Sequence, residues 1–357
     1  MTNNKISSLQ VGVILSFIIL STTSWIGLTD IIEIAGRDAY ISVIVAFILG
    51  IISLIMILLI NDKDNKFNIK KLILKIFGKY IGTFINMVID IIMIIIGIVT
   101  LYGLSNFIIS QFLSDTNIIY IYISISILVI YCVSKGIDVI ARSSVILLFF
   151  SIILFLIGNI SLIEEINLDY LKPVLEYGIK YPVLGGIILF LTNIVPIYII
   201  LIIPRNMISD KESYSKYIIF FYIFSMVSIF ITTFITIASM GINLARMYEY
   251  PEYIILKRIS LFGFLDRIEN IICIQWIFRG FIMLCMIIYY VSNNVKKNSS
   301  MIFRIIVMGI IIFINLIYFK NNTMYGEFIL NIYPFINLSL FMIFIIIGIR
   351  KRIVYNE

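Results

Sequence analysis

Residues 85–104 read INMVIDIIMIIIGIVTLYGL. Twenty residues with a single charge, Asp90, match the roughly 20 that an α-helix needs to cross a hydrocarbon core of about 30 Å. The run does not alternate apolar and polar as a strand of an outer-membrane barrel would, and in lipid a helix satisfies its own backbone groups. Worked outward, the run extends to a span near 80–112. Comparable runs recur near 9–29, 39–60, 117–134, 144–162, 183–203, 216–242, 268–291, 301–319 and 332–349. The first lacks a small-residue cleavage site and is followed by more of its kind, so it reads as a span and not as a removed signal. The expectation is an all-α polytopic membrane protein of about ten transmembrane helices.

Composition agrees. Of 357 residues 61% are hydrophobic and 13% charged, with a mean hydropathy of +1.10, against about 45–50% apolar and about 25% charged in a soluble chain. Histidine is absent, which removes the commonest general base, metal ligand and near-neutral proton switch. Cys132, Cys273 and Cys285 all lie in apolar runs, where an odd number of thiols reads as packing rather than a disulfide or metal framework. No enzyme, metal or cofactor is expected. The net charge of +7 reflects loop residues next to the bilayer rather than a nucleic-acid surface.

Eighteen of the 27 Lys and Arg fall in loops on one side of the spans and eight on the other, leaving Arg279 alone inside a span. The positive-inside rule then places both termini in the cytoplasm. The acidic loop Glu164–Glu176 and the stretch Asn243–Arg267 fall outside, and the basic 63–79 segment falls inside. Five spans per half would make the halves inverted relative to each other if they are repeats. One transmembrane domain over 1–357 is expected, with repeat one about 9–162 and repeat two about 183–349. Ser21-Thr22-Thr23-Ser24 interrupts the first span and Thr192-Asn193-Ile194-Val195-Pro196 the sixth, at corresponding positions. Paired breaks of this kind point to a midplane site.

Four passages carry a resemblance to a known family. They are Ala35-Gly36-Arg37-Asp38-Ala39-Tyr40-Ile41-Ser42, Lys135-Gly136-Ile137-Asp138-Val139-Ile140-Ala141-Arg142, the segment Asn167–Gly178 with Pro173-Val174-Leu175-Glu176, and Tyr250-Pro251-Glu252 through Ile259-Ser260 to Gly263-Phe264-Leu265-Asp266-Arg267-Ile268-Glu269. In content, order and spacing they resemble the spore-germination permease family, the permease subunit of nutrient germinant receptors within the amino acid, polyamine and organocation transporter superfamily. The resemblance implies two inverted five-helix repeats with broken helices 1 and 6. It also implies nutrient sensing at the spore inner membrane, with a larger membrane subunit and a lipoprotein subunit as partners. The chain departs from the family in having Ser21 to Trp25 where Gly and Pro are frequent, and Ile194-Val195 where a Gly-Glu pair stands. The motif residues have a structural reading too, since Gly36, Gly136 and Gly263 suit turns and Asp38, Asp138 and Asp266 can cap helix starts.

In a broken helix the free N–H groups can hold an anion and the freed carbonyls a cation, and an amino acid offers both charges. Ser21, Thr22, Thr23, Ser24, Thr192 and Asn193 are therefore candidate ligand-binding residues, although such hydroxyls equally bond back to their own helix. Arg279, near the middle of the eighth span, costs several kcal/mol there and must face a partner or water. It is a candidate carboxylate ligand, with Gln275 and Trp276 one turn away and Trp25 as an aromatic wall. Structurally it is expected to pair with Asp90. The leading functional expectation is a sensor that binds a small nutrient, an amino acid, and signals to partner subunits. An ion-coupled transporter with Asp90 and Glu33 as candidate acids, and a partner-gated water or ion conduit, are the alternatives.

Overall fold

The computed structural model describes residues 5–24, 28–62, 67–257, 269–293 and 299–356. Nine helical stretches among them are long and apolar enough to cross a membrane, and Ser8–Thr22 adds a shorter apolar helix of 15 residues. These ten correspond to the ten expected spans, and no strand occurs among the described residues. The chain is an all-α polytopic membrane protein.

Helix α1 (Ser8–Thr22) starts at a capping box between Ser7 and Gln10, which satisfies two of the amide groups a helix start leaves free. It is buried on nearly every side, as the axis of the bundle. Thr23 and Ser24 leave α-geometry, and from Leu28 onward α2 (Leu28–Ala35) runs into a one-turn 3-10 segment at Gly36–Asp38, where Gly36 takes φ 62°, and then into α3 (Ala39–Ile60). The short helix α4 (Ile69–Phe77), capped by Asn68, leads to α5 (Lys79–Phe112), whose 34 residues extend about 50 Å. Next come α6 (Ile118–Lys135) and α7 (Ile137–Ile160). Helix α7 begins seven residues before the expected 144, and at its start Asp138 and Arg142, one turn apart, face each other at 4.0 Å.

The sixth span is not a uniform helix. Helix α8 (Lys180–Leu189) widens into a π-turn over Phe190–Ile194 and then tightens into a 3-10 run over Val195–Ile202, all of it buried. The expected interruption at 192–196 is thus a real departure from α-geometry, whereas at 21–24 Ser21 and Thr22 still belong to α1 and the departure begins at Thr23. Close approach of α8 to α3 depends on Gly186, where an added Cβ would meet Val45 Cβ at 2.5 Å. The chain continues through α9 (Tyr214–Ala245), kinked at Gly241, α10 (Pro251–Leu256), α11 (Glu269–Ser292), α12 (Ser300–Tyr318), α13 (Asn322–Asn331) and α14 (Tyr333–Asn356). The span pattern did not anticipate α4, α10 and α13, each ten residues or shorter.

The N-terminal segment and the end of α14 share one face. Ile6 N–H donates to Met207 O and Ser209 N–H to Ile6 O, both at 2.9 Å. Ser8 N–H and Oγ bind Asp210 Oδ1 and O at 2.7 Å each. Lys351 reaches Asp62 at 2.7 Å beside the end of α3. On the opposite face Asp38 accepts the Leu175 N–H at 3.0 Å, and Arg37 meets Glu176 at 3.3 Å. Two of the four family-like passages therefore lock onto each other. Outside the bundle Phe84, Met87 and Ile91 of α5 and Ile48 of α3 are exposed, the apolar belt that lipid would cover.

Candidate functional site

The site begins where α1 ends. Thr23 and Ser24 form a wide turn rather than a further α-turn. Their hydroxyls bond backward, Thr23 Oγ1 to Ile19 O at 3.2 Å and Ser24 Oγ to Leu20 O at 3.3 Å, as does Ser21 Oγ to Ile18 O at 3.3 Å. The one Thr23 hydroxyl proton is shared with Asn193 Oδ1, also at 3.2 Å, which ties the first break to the sixth-span break. There Thr192 Oγ1 donates to Ile188 O at 2.9 Å, and Asn193 Nδ2 donates to Thr192 Oγ1 at 2.8 Å.

Arg279 projects from the middle of α11 toward the first break. Its Nη1 donates to Ser24 Oγ at 3.1 Å and its Nη2 to Gln275 Oε1 at 3.2 Å, while Nε is buried with no partner among the described residues. These groups line a cavity of about 50 Å³ bounded by the end of α1, the second halves of α7 and α9, and α10 and α11. That space suits a few water molecules, and its walls must part to admit a larger solute. Thr233 and Thr236 of α9 add hydroxyls, and Leu20, Leu28 and Phe155 close the apolar side.

The structure brings Thr23, Ser24, Gln275 and Arg279 together in this cavity, along with Trp276. Ser21 and Thr22 lie in the last turn of α1 behind it, and Thr192 and Asn193 reach it through Thr23 rather than by lining it. Trp25 lies outside the described residues.

The expected Asp90–Arg279 pair is not formed. Asp90 instead meets Lys70 at 2.6 Å, and Lys70 Nζ also donates to Val291 O at 3.3 Å and lies 4.9 Å from the Tyr290 ring centroid. The cause is α4, which packs along α5 and turns Lys70 inward, so that its side chain is 1% exposed. Arg279 lies twelve residues, about 18 Å, from Val291 along α11, too far for Asp90. Glu33, the other acid considered for coupling, is exposed beside a second, wider cavity on the face away from the termini.

Glu252 is the site residue that sequence reading missed. It sits in the first turn of α10, is 6% exposed, and lines the cavity together with Arg279. Burial pushes its carboxyl up to about 8, against the pull of the Arg279 guanidinium. An aromatic cluster holds α10 in place, with Trp276 4.3 Å from Phe107 and 5.6 Å from Tyr250 between ring centroids. Its sequence signal was its place in the family-like passage Tyr250-Pro251-Glu252, next to the apolar Tyr253–Leu256.

A polytopic helical bundle with two interrupted helices tied together beside a small polar cavity, inside which an arginine is held, defines a membrane protein of the permease class. The spore permease family, described as spore germination protein, matches residues 5–324. Spore germination protein XB of Bacillus anthracis is 24% identical over 273 residues, covering 76% of this chain and 75% of the relative. Spore germination protein KB of Bacillus subtilis (strain 168) is 28% identical over 209 residues, covering 56% of this chain and 55% of the relative. Spore germination protein A2 of the same organism is 21% identical over 212 residues, or 57% and 56%. The chain spans only a little over half the length of the last two. The chain belongs to the spore-germination permease family.

Proposed function

We propose that this chain is the membrane-permease subunit of a spore nutrient-germinant receptor. It binds a small nutrient, an amino acid, in the cavity at Arg279 and passes the signal to a larger membrane subunit and a lipoprotein subunit. It sits in the spore inner membrane with both termini cytoplasmic, as one permease domain of two inverted repeats, about 9–162 and 183–349. The observation that carries the reading is Arg279. A guanidinium at mid-span costs about 3 kcal/mol on insertion scales, yet two of its nitrogens are held by Ser24 and Gln275 at a polar cavity beside a helix break. A planar fork positioned in this way suits a carboxylate. Because the cavity is smaller than an amino acid, binding favours a conformation with parted walls, and differential affinity for that conformation is the signal.

The test is germination of spores carrying Arg279→Ala, scored nutrient by nutrient, with the protein's presence in the inner membrane verified. Loss of the response to one nutrient class while the protein remains supports the reading. Unchanged responses to every nutrient would refute it.

A second reading, an amino-acid carrier coupled to protons, gains support from Glu252. A buried carboxyl that titrates near neutrality supplies the acid that the sixth span lacks. Accumulation of radiolabelled amino acid by vesicles containing this chain, abolished by a protonophore, separates it from pure sensing.

A further inference from the structure

Glu252 and Arg279 line the same cavity from different elements, α10 and α11. They attract each other across it, yet among the described residues Glu252 Oε2 and Arg279 Nε are both buried without a hydrogen-bond partner. The other two guanidinium nitrogens are already held by Ser24 and Gln275. A buried polar atom left unpaired costs on the order of 1–3 kcal/mol, more when charged. Two such atoms of opposite character, an acceptor and a donor facing one polar space, are both satisfied by a solute that carries a donor cation at one end and an acceptor anion at the other.

The remaining walls narrow the choice. Thr233 Oγ1 donates to Ile229 O at 2.8 Å, so its lone pairs remain free to accept from an ammonium but its proton is committed. Leu20, Leu28, Phe155 and Leu256 make one side of the surface apolar and close, beside the polar Asn159, Ser228, Thr232 and Thr236. A sugar or nucleoside, with neutral hydroxyls and no charge, would leave both ionic groups without an opposite charge.

We propose that Glu252 is the ammonium-binding residue of this cavity and, with Arg279 taking the carboxylate, restricts its ligand to zwitterionic α-amino acids with small apolar side chains. The assignment rests on the receptor reading above and adds to it the residue that selects the amine. Glu252 reaches the site on a six-residue helix outside the spans, so amine recognition belongs to the element that covers the cavity from the face away from the termini.

The test uses intact spores in which this chain works with its own receptor partners. Germination is followed against concentration for each of the twenty common L-amino acids, for the des-amino acid matching each, and for the corresponding amine lacking the carboxylate. Spores carrying Glu252→Gln are run in parallel, with the protein in the membrane quantified. The expected result is a response, dependent on this chain, to at least one small apolar amino acid. Its des-amino analogue should be at least tenfold less potent, and Glu252→Gln should raise the half-maximal concentration at least tenfold. A des-amino acid as potent as its parent, or an unchanged dose response in a well-populated Glu252→Gln protein, overturns the inference. Where Glu252→Gln is missing from the membrane, discrimination between amino acid and des-amino acid by the unaltered chain decides alone. Deletion of the chain that removes only a sugar or nucleoside response overturns the role of Glu252 and leaves the receptor reading standing. A deletion without effect on any nutrient response sinks both.

Discussion

Thr23, in the break of the first membrane helix, donates its hydroxyl to Asn193 in the widened turn of the sixth at 3.2 Å. One bond thus links the two interruptions, 170 residues apart in sequence, and neither break can rearrange without the other feeling it. A double-mutant cycle over Thr23→Val and Asn193→Leu, read by thermal unfolding of the purified receptor, should give a coupling energy of about 1 kcal/mol. Strictly additive effects would mean that the two breaks move independently.

The Lys70–Asp90 pair predicts an asymmetric pair of variants. Lys70→Met leaves the Asp90 carboxylate without its partner; because that side chain is 28% exposed, the cost should be about 2 kcal/mol rather than the roughly 3–5 kcal/mol of a fully buried pair. Lys70→Met combined with Asp90→Leu should recover most of the loss. Membrane abundance and thermal stability report both. Arg279→Ala in the same background should show no coupling to Asp90.

Leu175 holds φ at 56°, a left-handed conformation a branched side chain rarely adopts, and its N–H is gripped by both carboxylate oxygens of Asp38 at 3.0 and 3.1 Å. Leu175→Gly should therefore leave stability unchanged or raise it by about 1 kcal/mol. Asp38→Ala should lower it by about 1–2 kcal/mol and expose the 161–179 segment to limited proteolysis. If Asp38→Ala is as protease-resistant as the parent, the grip is incidental.

Titration of Glu252 makes the nutrient response depend on pH. Its carboxyl, at about 8, is mostly neutral below that pH, and an ammonium prefers the ionised form. The facing charge is Arg279, from α11. The binding-competent fraction then rises with pH, so the half-maximal nutrient concentration should fall about tenfold from pH 6 to pH 7 and level off above pH 8. The sign is that of a carboxyl with a raised value: the neutral form is favoured at low pH, and the ionised form gains as pH climbs. Glu252→Gln should flatten the profile; a slope that survives the substitution would point to another titrating group.

The ten spans were legible because lipid imposes a single demand, some 20 apolar residues, on every one of them. The interruption at Thr192–Pro196 and the end of α1 at Thr22 were legible because Ser21–Ser24 and Thr192–Pro196 are polar or proline-bearing islands in otherwise apolar runs. Arg279 stood out as a charge without a neighbour. Its surroundings did not, because they depend on how separate elements meet. Lys70 looked like one more loop lysine until α4 packed along α5 and turned it toward Asp90. Glu252 was only one letter of a family-like passage until the aromatic contacts of Tyr250, Phe107 and Trp276 set α10 over the cavity. Short helices with few apolar residues carry little periodic signal, and their direction is decided by the bundle they join.

The stitching of Ile6 and Ser8 to Met207, Ser209 and Asp210 bears on the order in which the molecule is made. The partners of the first helix are some 200 residues downstream, which at about 5–20 residues per second means roughly 10–40 s of translation. Throughout that interval a deeply enclosed helix of the finished bundle has to wait in the bilayer without the contacts that close it at Met207–Asp210 and along α9. Chains stalled or truncated before Asp210 should therefore be prime clients for membrane quality control, however well their individual spans insert.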